Sequence, residues 1–219
     1  VYATGTAYYV SYTTGNDNYD GLSGAWDGTH GPWRTLAKAS SVSYSPGDRI
    51  LLKCGDTWTG EGLSFIGQSG TLAEFMEVSA YGTGDMPVID RNAQYDTVNG
   101  SCILIDNASY WKVNNIHMKR GYYGLNLRVT PQSQSSQRGF IIDSLYAEDM
   151  PALQSGTYYA AGIILNSQKE DGLSDVSVTN CRTKNCAIGI YIGYYIYPDD
   201  YAISDVTVTD NLMENGSWT

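Results

Sequence analysis

The sequence predicts an all-β chain wound as a parallel solenoid, and three observations carry that expectation. A ten-residue phrase recurs with starts at Trp111, Phe140, Val176 and Val206, spaced 29, 36 and 30 residues apart. Each copy opens with period-2 apolar alternation. Each places a small polar residue fifth (Asn115, Ser144, Asn180, Asp210) and a polar residue tenth (Arg120, Asp149, Asn185, Asn215). Short strands, polar corners and a near-constant spacing are what stacked rungs require, with insertions carried in loops. A further short strand follows the phrase at Gly124–Leu127, Gly162–Leu165 and Gly189–Ile192, and Ser101–Ile105 reads as the same strand one rung earlier. Composition agrees: Gly (24) and Tyr (19) are abundant and charged residues make up 16% of the chain.

The elements follow in order. Ala7–Ser11 reads as a strand and residues 13–23 as a turn-rich loop. Pro32–Ser40 holds the best helix candidate, with Thr35 as its N-cap. Ser45–Lys53 begins the sheet. A solenoid leaves an apolar end that must be covered, and a short amphipathic helix before the first rung does so. The expected division is therefore a strand, loop and capping helix over 1–45 and rungs over 46–219. At the fifth position of each phrase, Asn, Ser or Asp can hydrogen-bond its own backbone in a tight bend and ladder with its counterparts above and below.

Several segments carry a resemblance. Tyr8–Ser11, Gly15-Asn16-Asp17 with Asp20–Ser23, Trp33–Ala39, Pro46-Gly47-Asp48, and Ser79–Gly84 with Pro87-Val88-Ile89 resemble the opening of secreted right-handed parallel β-helix proteins of the pectate-lyase-like, carbohydrate-active kind. With the rungs, the resemblance spans nearly the whole chain. It implies a right-handed parallel β-helix with a short N-terminal capping helix, an extracellular setting and a polysaccharide or oligosaccharide partner. It says less about activity, because pectate, alginate and chondroitin lyases, several glycoside hydrolases, epimerases and phage tailspikes share the architecture. The ending departs from the pattern: after Asn215 only Gly216–Thr219 remain, with no closing strand. The expectation is a fragment, or a chain whose helix continues in a further polypeptide segment.

Alternation beyond the fifth position leaves two outward columns: His117, Tyr146, Arg182 and Leu212, and Lys119, Glu148, Lys184 and Glu214. Rungs lie roughly 4.8 Å apart. Such a face is either a solvated ladder of alternating charge or a sugar-binding groove with a reactive centre. In the second case Glu148, Lys184, Arg182 and Tyr146 are the catalytic candidates, with His117, Lys119 and Glu214 binding substrate. The flanking lysines would keep Glu148 ionised. Lys184 or Arg182 would bind a carboxylate or, with a lowered pKa, abstract a proton. Tyr146 or His117 would pass a proton. A lyase needs a base and cationic neutralisation, often with Ca²⁺. A hydrolase needs two carboxyl groups, and Glu148 with Glu214, two rungs apart at roughly 10 Å, is marginal for inversion. Glu148 with Asp149, and Asp199 with Asp200, are alternatives. Tyr158 with Tyr159, and Tyr194, Tyr195, Tyr197 and Tyr201, suit stacking on a pyranose or packing of the loops.

A formal net charge of −10 argues against nucleic acid or an anionic membrane as partner, and no apolar run is long enough to span a bilayer. Asn16-Asp17-Asn18 with Asp20 offers oxygen ligands for Ca²⁺ or an Asx-turn network, and no cofactor is otherwise indicated. Cys54, Cys102, Cys181 and Cys186 match no zinc spacing. They read as buried thiols, with a Cys181–Cys186 disulfide left open. Two histidines, His30 and His117, give a triad little to build on. The resemblance implies a secreted polysaccharide-degrading protein, with low basicity and aromatic content putting hydrolysis slightly ahead of elimination. The alternatives are a non-catalytic carbohydrate-binding or adhesion module and a structural solenoid of a larger assembly.

Overall fold

A computed structural model describes residues 5–94, 100–130, 136–150, 160–167, 172–193 and 203–215. The chain enters through β1 (Ala7–Val10) and α1 (Leu36–Ser40), then winds in rungs of three strands. The first rung is β2 (Arg49–Lys53), β3 (Thr57–Thr59) and β4 (Leu63–Ile66). The second is β5 (Met76–Tyr81), β6 (Val88–Gln94) and β7 (Ser101–Asp106), and the third β8 (Trp111–Asn114), β9 (His117–Gly121) and β10 (Tyr123–Val129). The fourth is β11 (Gln137–Asp143), β12 (Tyr146–Glu148) and β13 (Ala161–Ser167), and the fifth β14 (Leu173–Thr179), β15 (Arg182–Lys184) and β16 (Ile188–Gly193). Strands β17 (Ile203–Thr209) and β18 (Leu212–Glu214) start a sixth. First, second and third strands of successive rungs pair in parallel into sheets of seven, six and five strands; the first sheet includes β1. This is a parallel β-helix, wound in the right-handed sense that parallel crossovers require.

The repeated phrase explains the winding. Its fifth positions, Asn115, Ser144, Asn180 and Asp210, all take the left-handed conformation, with φ of 56°, 53°, 53° and 57°. So do its tenth positions, Arg120, Asp149, Asn185 and Asn215 (53°, 57°, 52°, 53°). A left-handed residue costs a side-chain-bearing position roughly 1–2 kcal/mol, least for Asn and Asp. Hydrogen bonds between rungs offset it. The Asp143 carboxylate accepts from Asn180 Nδ2 and Thr179 Oγ1 at 2.8 Å each and from Ser144 Oγ at 2.9 Å. Asn185 Nδ2 donates to Asp149 Oδ1 at 2.9 Å.

Side chains between the corners alternate into one core. Trp58, Phe65, Met76, Ile89, Ile103 and Trp111 are among its largest fully buried members, and the Trp111 indole donates to Gln68 O at 2.7 Å. Close approach explains the glycine of the third-sheet motif: a Cβ at Gly124 would lie 2.3 Å from Gly162 O, and one at Gly162 2.8 Å from Gly189 O. Cys102, Cys181 and Cys186 are buried free thiols, so the Cys181–Cys186 bridge is not formed. Desolvation pushes Cys102 up to about 12 and Cys181 and Cys186 to about 11.

Within the N-terminal segment β1 joins the first sheet, with Ala7 to Val10 in register with Arg49 to Leu52. Helix α1 begins where Thr35 Oγ1 accepts from Lys38 N at 3.0 Å, and it buries Leu36 and Ala39. The Asp17 carboxylate accepts from the N–H groups of Arg34 (2.8 Å) and Thr35 (3.0 Å) and from the Thr35 hydroxyl (2.7 Å). Trp58 ties the cap to the first rung by donating to Arg34 O at 2.8 Å. Among the described residues no helix is long and apolar enough to cross a membrane.

The corner column is testable. Asn180→Val puts a β-branched residue at φ 53° and removes the bond to Asp143. It is expected to lower stability by about 2 kcal/mol or more, whereas Asn180→Gly, which keeps the conformation open, should cost about 1 kcal/mol or less. Urea denaturation of the two variants checks the order.

Candidate functional site

The short strands of the second sheet stack in register and bring the outward columns together. His117, Tyr146, Arg182 and Leu212 are consecutive partners, as are Asp90, Lys119, Glu148, Lys184 and Glu214. The His117 and Tyr146 rings stack with centroids 4.4 Å apart and 21° between planes. The Arg182 guanidinium lies 5.0 Å from the Tyr146 centroid on the next rung. Glu148 sits at the centre: Oε1 is 3.0 Å from His117 Nε2, and Oε2 accepts from the Tyr146 hydroxyl at 2.6 Å. His117 and Glu148 side chains are 18% and 20% exposed, screened from bulk water yet reachable.

Electrostatics separate the groups. Burial lowers His117 below its ordinary 6.5 against the opposing pull of Glu148, so the imidazole is neutral at pH 7. Desolvation, then the bond and charge of Glu148, push Tyr146 up to about 12, so the phenol keeps its proton. The hydrogen bond from Arg182 holds Glu214 below its ordinary 4.5, and Arg182 Nε lies 2.5 Å from Glu214 Oε2. The same bond raises Arg182, the reverse of what a general base needs. One sequence expectation is thus corrected. Glu148 has two lysines as Cα neighbours, but its oxygens are taken by an imidazole and a phenol, and Lys119 Nζ lies 3.8 Å from Asp90 instead.

Sequence reasoning missed Asp90. Its side chain is 4% exposed and is gripped by Arg120, Nε donating at 2.9 Å and NH2 to the second oxygen. Burial works to raise Asp90, but Arg120, the Asn92 N–H and Lys119 overcome it and leave it below 3.8. Its signal, Val88-Ile89-Asp90 in register with His117-Met118-Lys119, was masked by the irregular register between Asp90 and Gln94.

A second polar set lies on the third sheet. Asp106, Arg128 and Asn166 are consecutive partners, with Asn126 beside them. Asp106, Asn126 and Asn166 are 4%, 3% and 8% exposed although they point away from the core. Arg128 NH2 donates to Asp106 Oδ2 at 2.6 Å and Asn126 Nδ2 to Ser101 Oγ at 3.3 Å. Asp106 Oδ1, Arg128 Nε, Asn126 Oδ1 and Asn166 Oδ1 are buried with no hydrogen-bond partner among the described residues. Such orphaned groups are costly. Tyr158, Tyr194 and Tyr195, with Tyr159, Tyr197, Tyr201, Asp199 and Asp200, lie outside the described residues.

In the Asn16–Asp20 loop, Asp17 caps the helix as described. Asn16 Oδ1 accepts from Asn18 N at 3.0 Å and Asp20 Oδ1 from Leu22 N at 3.0 Å, while Asp20 Oδ2 pairs with His30 Nδ1. These are Asx-turn bonds. Among the described residues no three His, Cys, Asp or Glu side chains group as a metal site.

The state of His117 gives a pH test. Because the folded imidazole titrates below 6.5, the unfolded chain binds more protons between the two values, and stability rises with pH through that window. The contribution is complete above 6.5 and is lost as pH falls through the lowered folded value. Urea midpoints from pH 7 to pH 5 should fall less steeply in His117→Gln than in the parent.

No protein-family model and no curated protein matches the chain. Among solved structures it is similar to the GH136 lacto-N-biosidase from Eubacterium ramulus, with a TM-score of 0.71, 19% identity, and 95% of this chain and 41% of that one covered. It is also similar to an alginate lyase from Paenibacillus sp. str. FPU-7 (TM-score 0.53, 20% identity, 80% and 56% covered) and to a rhamnogalacturonan lyase (0.51, 14%, 95% and 62%). The chain spans 41% of the length of the first and under two thirds of each of the others. At these identities the likeness is one of fold, a β-helix built as in carbohydrate-active enzymes.

Proposed function

We propose that this β-helix takes part in cleaving a polysaccharide outside the cell, with the Glu148 ladder as its proton-transfer centre. Elimination from a uronic-acid-containing chain is the chemistry the ladder suits. The observation that carries the reading is Glu148 held on one oxygen by His117 and on the other by Tyr146, with Arg182 stacked on that phenol. In elimination, neutral His117 takes the proton next to the uronate carboxyl group and Glu148 stabilises the imidazolium that forms. The new carbon–carbon double bond expels the glycosidic oxygen, and the Tyr146 hydroxyl protonates it. Arg182 and Lys184 face the uronate charge. The net charge of −10 opposes a polyanion at long range, but fields are screened beyond about 8 Å at physiological salt, so the cations on the face decide.

Hydrolysis, the sequence's slight preference, needs one protonated carboxyl group. Asp90 and Glu214, each two rungs from Glu148 and roughly 10 Å away, are both held ionised by arginines. A second reading, glycan binding on the third sheet, rests on the orphaned atoms of Asp106, Arg128, Asn126 and Asn166, which suit sugar hydroxyls; the one carboxylate there is paired with Arg128, as Asp90 is with Arg120. The fold likeness to a lacto-N-biosidase supports it. Calcium is not required by either reading.

Incubation with alginate, polygalacturonate and rhamnogalacturonan tests the proposal. The expected product absorbs as a 4,5-unsaturated uronide, and Glu148→Gln and His117→Gln should each lower its formation by about 10²–10⁴-fold with unchanged melting temperature. Reducing ends without that absorbance, abolished by Asp106→Asn and not by Glu148→Gln, would move the centre to the third sheet. Glycan binding without turnover would make the chain a binding module, and self-association without glycan binding an assembly element.

A further inference from the structure

The outer face of the first sheet carries a groove of about 500 Å³ that the proton-transfer ladder does not use. That volume is in the range of small-ligand sites, about 300–1,000 Å³. One wall is aromatic: Phe75 and Tyr110 meet edge to face, centroids 5.6 Å apart. Ile141, 39% exposed, lies on the floor, and Arg138, Asp175 and Asp205 stand along the other rungs. The residues before Trp111, Phe140, Val176 and Val206 form one column, and all four are left-handed: Tyr110 (φ 60°), Gly139 (75°), Asp175 (54°) and Asp205 (53°).

Tyrosine is the odd member. Glycine and aspartate tolerate this conformation, whereas a bulky aromatic there is strained. The backbone holds it in place, with Tyr110 N donating to Arg138 O at 2.8 Å and Met76 N donating to Tyr110 O at 3.0 Å. The next rung makes room for its ring: a Cβ at position 139 would lie 2.5 Å from Tyr110 Cδ1, so only glycine fits. Strain accepted in one residue and space cleared in its neighbour present an aromatic surface to the groove.

The geometry points to a second, non-catalytic carbohydrate site here, for a neutral glycan segment. An aromatic wall takes the C–H face of a pyranose, while carboxylate and guanidinium groups take its hydroxyls. An apolar partner would desolvate Asp175 and Asp205 without pairing them, and with Lys112 lying over the Phe75 ring, 5.3 Å from its centroid, the two carboxylates and Arg138 leave no net positive charge lining the groove to hold an anionic chain. The column from Tyr110 to Asp205 crosses three rung steps, roughly 14 Å, so the groove takes a chain more readily than a monosaccharide. The inference shares its ligand class with the proposed function but needs neither Glu148 nor Asp106.

Native affinity electrophoresis of the whole chain in gels containing galactomannan, arabinoxylan or mixed-linkage β-glucan tests it, with alginate as the anionic control. At least one neutral polysaccharide should retard the protein. Phe75→Ala and Tyr110→Gly should each weaken retardation at least tenfold, and Glu148→Gln should leave it intact, which separates this site from the reaction centre. Tyr110→Gly should keep or raise the melting temperature, because it relieves the strained φ; a purely structural tyrosine would lower it. Retardation by none of the three, or retardation that survives Phe75→Ala, would overturn the proposal. So would dimerisation abolished by Ile141→Asp without glycan retardation, which would assign the groove to a protein partner.

Discussion

Everything in this molecule depends on bending an extended chain sharply at fixed intervals without breaking register. The left-handed residues do this. Just before and within the phrase they recur every five residues, at Tyr110, Asn115 and Arg120 and again at Asp175, Asn180 and Asn185. Each such bend is unfavourable by itself, by roughly 1–2 kcal/mol. A stack tolerates it where side chains at the corners bond to the neighbouring rung, as Asp143 does to Thr179 and Asn180 and Asn185 does to Asp149. The earlier rungs meet the same demand with glycine, at Gly55 and Gly60. Corner chemistry therefore changes along the chain while corner geometry does not.

Register turns a linear sequence into columns, and columns turn ordinary side chains into a site. His117, Tyr146 and Arg182 are far apart in sequence, yet each is the direct partner of the next. A parallel ladder offers one side chain per rung at roughly 4.8 Å, close to the separation at which rings and guanidinium groups stack. Charge follows the same geometry: Asp90 with Lys119 and Arg120, and Glu214 with Arg182, neutralise in pairs between neighbouring rungs. Within this column Glu148 bonds instead to the His117 imidazole and the Tyr146 hydroxyl.

The legible part of the fold was the part written in the repeat. The corner residues, the third-sheet strands and the Thr35 cap are local patterns, and alternation assigned inward and outward faces without knowledge of the whole. The same alternation put Lys119, Glu148 and Lys184 in one column but could not say which neighbour Glu148 would bond, because rotamers decide that. Asp106 was hidden differently. Ser101–Asp106 is buried along its whole length, and a uniformly apolar-looking strand does not reveal that one of its faces carries polar groups awaiting partners. Asp90 was obscured where the register of its strand breaks.

The buried thiols have a use that their chemistry does not suggest. At pKa values of about 11 to 12, Cys102, Cys181 and Cys186 are almost wholly protonated at neutral pH and shielded inside the coil. A solenoid holds each rung only through its neighbours and opens piecemeal. Cys102 sits in the second rung, and Cys181 and Cys186 border β15 in the fifth. The molecule therefore carries its own strain gauges at two heights. The order in which these sulfurs yield to an alkylating reagent records which end of the coil loosens first.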